Sequence, residues 1–250
     1  MIYISIISHN HFDMIKKIGN LAQLKDSDGV EVIIRDNVGE SDFEQWCKAL
    51  NFTYILNSEK YGFGQNNNLN FSYLENNGIA DGDYFLVLNP DVSVTEEALC
   101  KLSYAMSKHN SQLATINLFL DQDFSTPDNC VRKFPRLLDF LSSFIFGRNK
   151  TILNKSCLDN VSDVDWAAGS FLMFSVPTYK KLEGFDEDYF MYCEDIDICK
   201  RFNKMFNRKM LFFKEIRGVH YAQFNNRKIL SKHFYWHVKS CLRYLLKHKA

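Results

Sequence analysis

Several things are missing from this 250-residue chain, and each absence removes a class of function. Net charge is missing: thirty basic and thirty acidic residues cancel, so the surface is not coated in the positive charge on which nucleic-acid binding depends. No run of about 18 uninterrupted apolar residues occurs, so no transmembrane helix is expected. The opening MIYISIISHN has no basic start and turns polar within a few positions, which reads as a buried strand and not as a secretory signal. The seven cysteines are scattered and contain no CxxC pair, so neither a zinc site nor a disulfide framework is expected; reduced thiols in a cytosol are the simpler reading. No Gly–Lys–Ser/Thr follows the glycine-rich stretch at Tyr61–Asn68, and the dinucleotide-binding glycine spacing is absent, which removes the two commonest phosphate-loop motifs. Repeats and low-complexity linkers are also absent.

What remains is an ordinary globular composition, 46% hydrophobic and 24% charged, enough to build one sizeable core. Short β-branched or apolar runs at Ile2–Ile7, Val30–Ile34, Thr53–Leu56 and Tyr84–Leu88 alternate with helix-compatible segments. That alternation predicts an α/β fold with a mainly parallel sheet flanked by helices. Ligands in such sheets sit outside the carboxyl ends of the strands, and polar residues fall there: Ser8 and Asn10, Asp36 and Asn37, Asn89 and Asp91. The stretch Tyr61–Asn68 (YGFGQNNN) reads as a loop leading into a helix, and the segment from Asp121 to Ser162 shows no clear period.

Three sets of residues have the composition for chemistry. Asp91 follows an apolar strand, where a carboxylate can hold a hard divalent cation or simply cap a turn; Ser93 or Thr95 is available for the cap instead. Between Phe185 and Asp197 six carboxylates mix with bulky aromatics. A helix starting near Glu194 accounts for acids in its first turn and for an Asp197–Arg201 pair, but not for the whole cluster. Carboxylates among aromatics acquire raised pKa values, which suits a general base. His220 closes a strand and reads either as a structural residue or as a metal ligand beside Asp91.

With those residues in view, the sequence resembles the family 2 inverting glycosyltransferases of GT-A fold, and within them the bacterial rhamnosyltransferases of O-antigen assembly. The resemblance rests on Ser8 and Asn10, IIRDN at Ile33–Asn37, YGFGQNNN, LNPDV at Leu88–Val92, VRKFP at Val131–Pro135, VDWAAGSF at Val164–Phe171, Gly184–Asp186 with YFMYCEDID at Tyr189–Asp197, and VHY at Val219–Tyr221. It implies a dTDP-L-rhamnose donor, a GlcNAc-diphospho-undecaprenol type of acceptor, and Mg²⁺ or Mn²⁺ as cofactor. By the same resemblance Asp36 binds the nucleotide base, with Ser8, Asn10 and Asn37 around it. Gly62, Phe63 and Asn67 approach ribose or phosphates, and Asn89 stands where many members carry a first metal-motif acid. Asp91 and His220 hold the metal, Asp195 is the catalytic base with Glu194 as second choice, and Arg132 and Trp166 border the sugar and acceptor sites. A UDP-sugar donor, or a non-catalytic sugar-nucleotide-binding partner, are the alternatives.

The transferase domain is assigned to residues 1–224 and a basic amphipathic helix to 225–250. Leu230, Phe234, Val238, Leu242 and Leu245 form one apolar stripe among Lys, Arg and His. Such a helix either anchors to an anionic lipid surface or packs on the domain through its stripe. The resemblance favours lipid, with Leu137–Phe146 as a second contact, and implies a cytoplasmic protein peripheral on the inner membrane.

Overall fold

The computed structural model describes residues 1–147, 149–222 and 232–248. Leu230, Arg148 and the 224/225 boundary lie outside them. The elements run β1 (Ile2–Ser8), α1 (Phe12–Ile18), β2 (Val30–Asp36), α2 (Phe43–Ala49), β3 (Thr53–Leu56), α3 (Phe63–Asn76), β4 (Tyr84–Leu88), β5 (Val92–Ser93) and α4 (Glu96–Lys108). They continue as β6 (Leu113–Phe119), β7 (Val131–Arg132), α5 (Leu137–Phe146), β8 (Val161–Val164), β9 (Trp166–Ala167), β10 (Phe171–Ser175), α6 (Val176–Lys181), α7 (Glu194–Phe206), β11 (Met210–His220) and α8 (Lys232–Lys247).

Every residue of β1 is buried, as a central strand covered by helices on both faces requires. The sheet order is β3-β2-β1-β4-β10-β6-β11-β5, with β8 also on β11. The pairs among β1, β2, β3 and β4 are parallel as predicted. The sheet as a whole is mixed, because β10 runs antiparallel between β4 and β6. The carboxyl ends of β1, β2, β4, β6 and β11 therefore share one edge with the amino end of β10. A ring cluster of Phe71, Phe85, Phe174, Tyr179 and Phe185 packs against the sheet with centroids 4.6 to 6.5 Å apart. Full burial of one such side chain contributes about 1.5–3 kcal/mol.

Two expectations change. The YGFGQNNN stretch is not a loop beyond Gly62, because α3 begins at Phe63. Glycine and asparagine are weak helix formers, yet tertiary hydrogen bonds of Asn66 with Asn37 and Asn57, and of Asn67 and Asn70 with Ser5, hold this turn helical. The C-terminal helix packs on the domain, but not through the whole predicted stripe: Leu245 meets the core while Phe234 and Leu242 stay exposed. It buries the adjacent face instead, with Ser240, Cys241 and Tyr244 inward. Its polar side chains select that face, since Lys247 and His248 reach Asp197 at 2.8 Å and Arg243 reaches Asp186 at 3.1 Å.

Candidate active site

The site lies along the shared carboxyl edge. After β4 the chain turns at Asn89 and Pro90 so that β5 can pair with the end of β11, registering His220 opposite Val92. Asp91 is thereby brought beside His220, and its carbonyl accepts from the Tyr221 N–H at 2.9 Å. Thr95 caps α4 by accepting from Ala98 N–H, which leaves the Asp91 carboxylate out of the capping. His220 Nδ1 lies 2.8 Å from Asp128 Oδ2, and its Nε2 lies 3.4 Å from Asp91 Oδ1. Asp91 Oδ1 is buried and has no hydrogen-bond partner. A carboxylate that fixes an imidazole through one nitrogen and leaves the other aimed at a second carboxylate is the arrangement that orients metal-binding histidines. The orphaned oxygen and that nitrogen fit Mg²⁺ or Mn²⁺. Burial lowers the His220 pKa, but its hydrogen bond to Asp128 and the nearby Asp91 carboxylate outweigh this and push it up to about 9. Burial alone would raise the Asp91 pKa; His220 and the nearby His11 hold it below the ordinary range. A cation binding here would displace a proton.

The acidic constellation sits at the start of α7. Tyr192 and Cys193 precede it with φ of +72° and +65°, two successive non-glycine residues in the left-handed region. Such residues cost on the order of 1–3 kcal/mol each and persist only where surrounding contacts hold them. Asp195 Oδ2 accepts from Gly169 N–H at 3.1 Å, and Oδ1 accepts from Ile196 N–H at 2.8 Å. The next residue, Ser170, accepts the Asn89 N–H at 3.0 Å through its carbonyl. Gly169 and Ser170 thus tie the Asp195 carboxylate to the Asn89–Asp91 turn by two backbone hydrogen bonds. Phe63 closes the other side: a Cβ on Gly169 would stand 3.1 Å from its ring and 3.6 Å from Asp195 Cβ.

Glu194 and Asp195 differ in exposure. Glu194 is buried, with Oε2 lacking a partner, and burial together with the Asp195 charge pushes its pKa up to about 8. Asp195 is half-buried; burial raises its pKa too, against the Gly169 and Ile196 N–H groups and the positive charge of Arg132. Adjacent acids of this kind titrate as a pair, and the less buried Asp195 is the one that can meet a substrate. Arg132, on the antiparallel β7–β9 pair, lies 5.2 Å from the Trp166 ring and donates to Asn129 O at 2.8 Å. Trp166 itself is buried, with its indole N–H on Lys133 O, so it supports Arg132 and does not present a face of its own.

Several residues expected around the nucleotide point inward. Asp36 is fully buried; its oxygens accept from Val38 N–H, Glu40 N–H and the Tyr54 hydroxyl, so it shapes the turn after β2. Ser8 is buried and donates to Glu40, whose carboxylate also takes the His11 and Phe12 N–H groups at the start of α1. Asn37 binds Tyr61, Asn57 and Asn66, and Asn67 bridges Ser5 and the Phe63 carbonyl. Gly62 is required because a Cβ would lie 2.4 Å from Phe190 O, a close approach to the acidic loop. Asn10 is exposed and Asn89, Phe63 and Arg132 half-buried, so these keep surface for a ligand. Sequence reasoning passed over Asp128, which lies in the aperiodic segment and has no local signal. It also passed over His11, whose pKa burial lowers against the pull of Asp91 and Glu40, and whose only signal was its place just after Asn10.

Comparison with known proteins shows the family and the fold. Over 248 residues, 98% of this chain and 92% of the relative, the sequence is 40% identical to "Rhamnosyltransferase WbbL" of Escherichia coli (strain K12). It is 31% identical over 129 residues, 49% of this chain and 42% of the relative, to an "N-acetylglucosaminyl-diphospho-decaprenol L-rhamnosyltransferase" of Mycobacterium tuberculosis. Among solved structures, a crystal structure of GalNAc-T7 with UDP, GalNAc and Mn²⁺ superposes with a TM-score of 0.68 at 12% identity, covering 98% of this chain and 47% of that one. The mannosyltransferase PcManGT from Pyrobaculum calidifontis, with GDP-Man and Mn²⁺, superposes at 0.59 and 12% identity, covering 90% of this chain and 58% of that one. These two likenesses are of fold, the GT-A fold. The model of the family described as "Glycosyl transferase family 2" matches residues 3–176, and this chain belongs to that family.

Proposed function

We propose that this glycosyltransferase moves L-rhamnose from dTDP-L-rhamnose to a hydroxyl of a GlcNAc-diphospho-undecaprenol type of acceptor, with inversion, in O-antigen or related cell-surface polysaccharide synthesis. The observation that carries the reaction is Asp195, an accessible carboxylate of raised pKa, tied through Gly169 and Ser170 to the turn bearing Asp91. The relatives' names support rhamnose and a polyprenol-linked acceptor.

In an inverting transfer, Asp195 takes the proton of the acceptor hydroxyl as that oxygen attacks the anomeric carbon and the nucleoside diphosphate departs. Glu194, neutral beside it, keeps a second negative charge away from the base. Asp91 and His220 would hold Mg²⁺ or Mn²⁺, with Asp128 orienting His220. The cation supplies charge stabilisation for the departing diphosphate. Asn10, Asn89 and Phe63 are assigned to the donor. Arg132, braced by Trp166, faces the sugar and acceptor side; Ser8, Asp36, Asn37, Gly62 and Asn67 act by shaping the walls.

Residues 1–224 carry the transfer, and the helix within 225–250 completes a lipid-facing surface at the cytoplasmic face of the inner membrane. Support comes from α5, where Leu137, Leu138, Leu141, Ile145 and Phe146 are all exposed while Phe140 packs on Tyr244 of α8. Phe234, Tyr235, Leu242 and Leu246 extend the apolar surface along α8. An apolar face of this kind next to basic residues suits a headgroup region. No helix among the described residues is long and apolar enough to cross a membrane.

Calorimetry with dTDP-rhamnose, dTDP, UDP and UDP-galactose, with and without Mg²⁺ or Mn²⁺, tests the reading. Metal-dependent preference for the dTDP ligands is expected. Preference for UDP overturns the donor, and no nucleotide binding overturns the enzyme assignment.

A further inference from the structure

The strained residue just before the acids faces a second cluster on α8. His237 and Cys241 are four apart on that helix and so share one face. Cys193, from the loop, meets them: the Cys193 and Cys241 sulfurs are 3.7 Å apart, and ligand atoms of all three residues lie within 4.8 Å of one another. Both cysteines are 4% exposed. A tetrahedral zinc ion with Zn–S bonds of about 2.3 Å separates its sulfurs by about 3.8 Å, so the two thiols already stand at the spacing of two corners. A disulfide needs about 2.05 Å. Two thiols and an imidazole form a soft to borderline donor set, unlike the carboxylates that suit Mg²⁺ or Mn²⁺ at Asp91.

We infer that Cys193, His237 and Cys241 are a zinc site distinct from the Asp91–His220 pair, and that the bound ion fastens α8 to the loop that aims Asp195. Three protein ligands leave the fourth position to water. Binding releases the two thiol protons to solvent, so no other reactant is needed. The surrounding contacts give the ion a place to act. Phe190 packs on Trp236 with centroids 4.9 Å apart, Tyr192 packs on His237 at 4.8 Å, and Ser240 Oγ donates to Met191 O at 2.8 Å. Residues 190 to 193 are thus lined against α8 immediately before Glu194, and the ion sits where the left-handed pair has to be held. The fastening role rests on Asp195 being the base; the metal site does not. Spacing along the chain had pointed away from a zinc site because its ligands come from two segments 44 residues apart at their nearest, Cys193 and His237.

The test uses the full reduced chain titrated with Co²⁺ and then Zn²⁺. One thiolate-bound Co²⁺ per chain is expected, with intense visible bands of a tetrahedral centre and near-ultraviolet thiolate charge transfer, both removed by Zn²⁺. A hard-site Co²⁺ at Asp91 gives no thiolate band, so Asp91→Asn should retain the signal, as should Cys100→Ser. Cys193→Ser and Cys241→Ser should abolish it, and His237→Ala should weaken binding at least tenfold. Zinc should raise the Tm of the parent chain and not of Cys241→Ser. Absence of a thiolate band at saturating Co²⁺ in the folded reduced parent overturns the site, whatever the variants do. So does a parent chain that takes up no cobalt and closes a Cys193–Cys241 disulfide on mild oxidation. If the site stands but stripping zinc leaves the turnover of an Asp195-dependent enzyme unchanged, the fastening role is overturned; if Asp195→Ala is itself fully active, the base assignment fails and the metal site remains.

Discussion

The two ends of the catalytic edge treat buried polar groups in opposite ways. On the β1–β3 side they are matched to one another. Arg35 reaches Asn70 and Asn57, Ser5 reaches Asn67, and both oxygens of Asp36 accept from the chain around it. On the β10, α7 and β11 side they are left incomplete. Asp91 Oδ1, Ser170 Oγ and Glu194 Oε2 are buried without a partner, and Tyr192 and Cys193 hold left-handed backbone. An unmatched buried oxygen costs about 1–3 kcal/mol, so it persists where something other than stability requires it. Polar residues that look alike in sequence are therefore matched to one another on one side and left open on the other.

The comparison breaks most visibly at Asp195. Asp195→Ala should lower turnover by about 10²–10⁴-fold while donor affinity and Tm hold, read by steady-state kinetics and calorimetry. Because its pKa is raised, activity of the parent should fall on acidification above the ordinary carboxylate range, since the base must be deprotonated. Normal turnover in the folded variant would remove Asp195 from the mechanism.

Asp197, two residues on, should behave as scaffold. It is fully buried between Arg201, Lys247 and His248, and removing it leaves the two cations Arg201 and Lys247 without their shared carboxylate, for a loss of about 3–5 kcal/mol in denaturant unfolding of Asp197→Ala. Its pKa is depressed in the fold, chiefly by His248 and Arg201 acting against burial. Its contribution is therefore present above the ordinary carboxylate range and lost as pH falls below it. An unfolding free energy that does not change from pH 5 down to pH 3 would contradict this.

A smaller effect separates the asparagines from the ligand. Asn67→Ala takes away the acceptor of the buried Ser5 hydroxyl and should cost about 1–3 kcal/mol of stability, with donor affinity unchanged at a temperature where the variant is folded. A large loss of donor affinity with unchanged Tm would return Asn67 to the binding site. The smallest stability effect belongs to α5. Leu138→Ser at a 76% exposed position should change stability by no more than about 0.5 kcal/mol, yet weaken binding to anionic liposomes. Undiminished liposome binding by Leu138→Ser combined with Ile145→Ser would move the lipid contact elsewhere.

Local pattern was enough for most elements. β3, β4 and the start of α7 fall where β-branched runs and the acidic first turn put them, and Thr95 caps α4 as one of the two residues proposed. It failed where partners are distant in sequence. Nothing near Asn66 says that a helix will run through Gly64 and the three asparagines after Gln65, because the compensating bonds come from β1, β2 and the residues just beyond β2 and β3. Nothing near Phe234 says which face of α8 turns inward, because the selecting charges are Asp186 and Asp197.

By itself, then, the sequence determined the strand–helix alternation, the edge on which polar residues collect and the family to which the chain belongs, since these depend on period, propensity and order along the chain. Only the tertiary structure decided which of those polar residues are consumed by their neighbours. It alone joined Asp128 to His220, Gly169 to Asp195 and Cys193 to Cys241, because a hydrogen bond or a ligand set is a relation in space between groups that the chain keeps far apart.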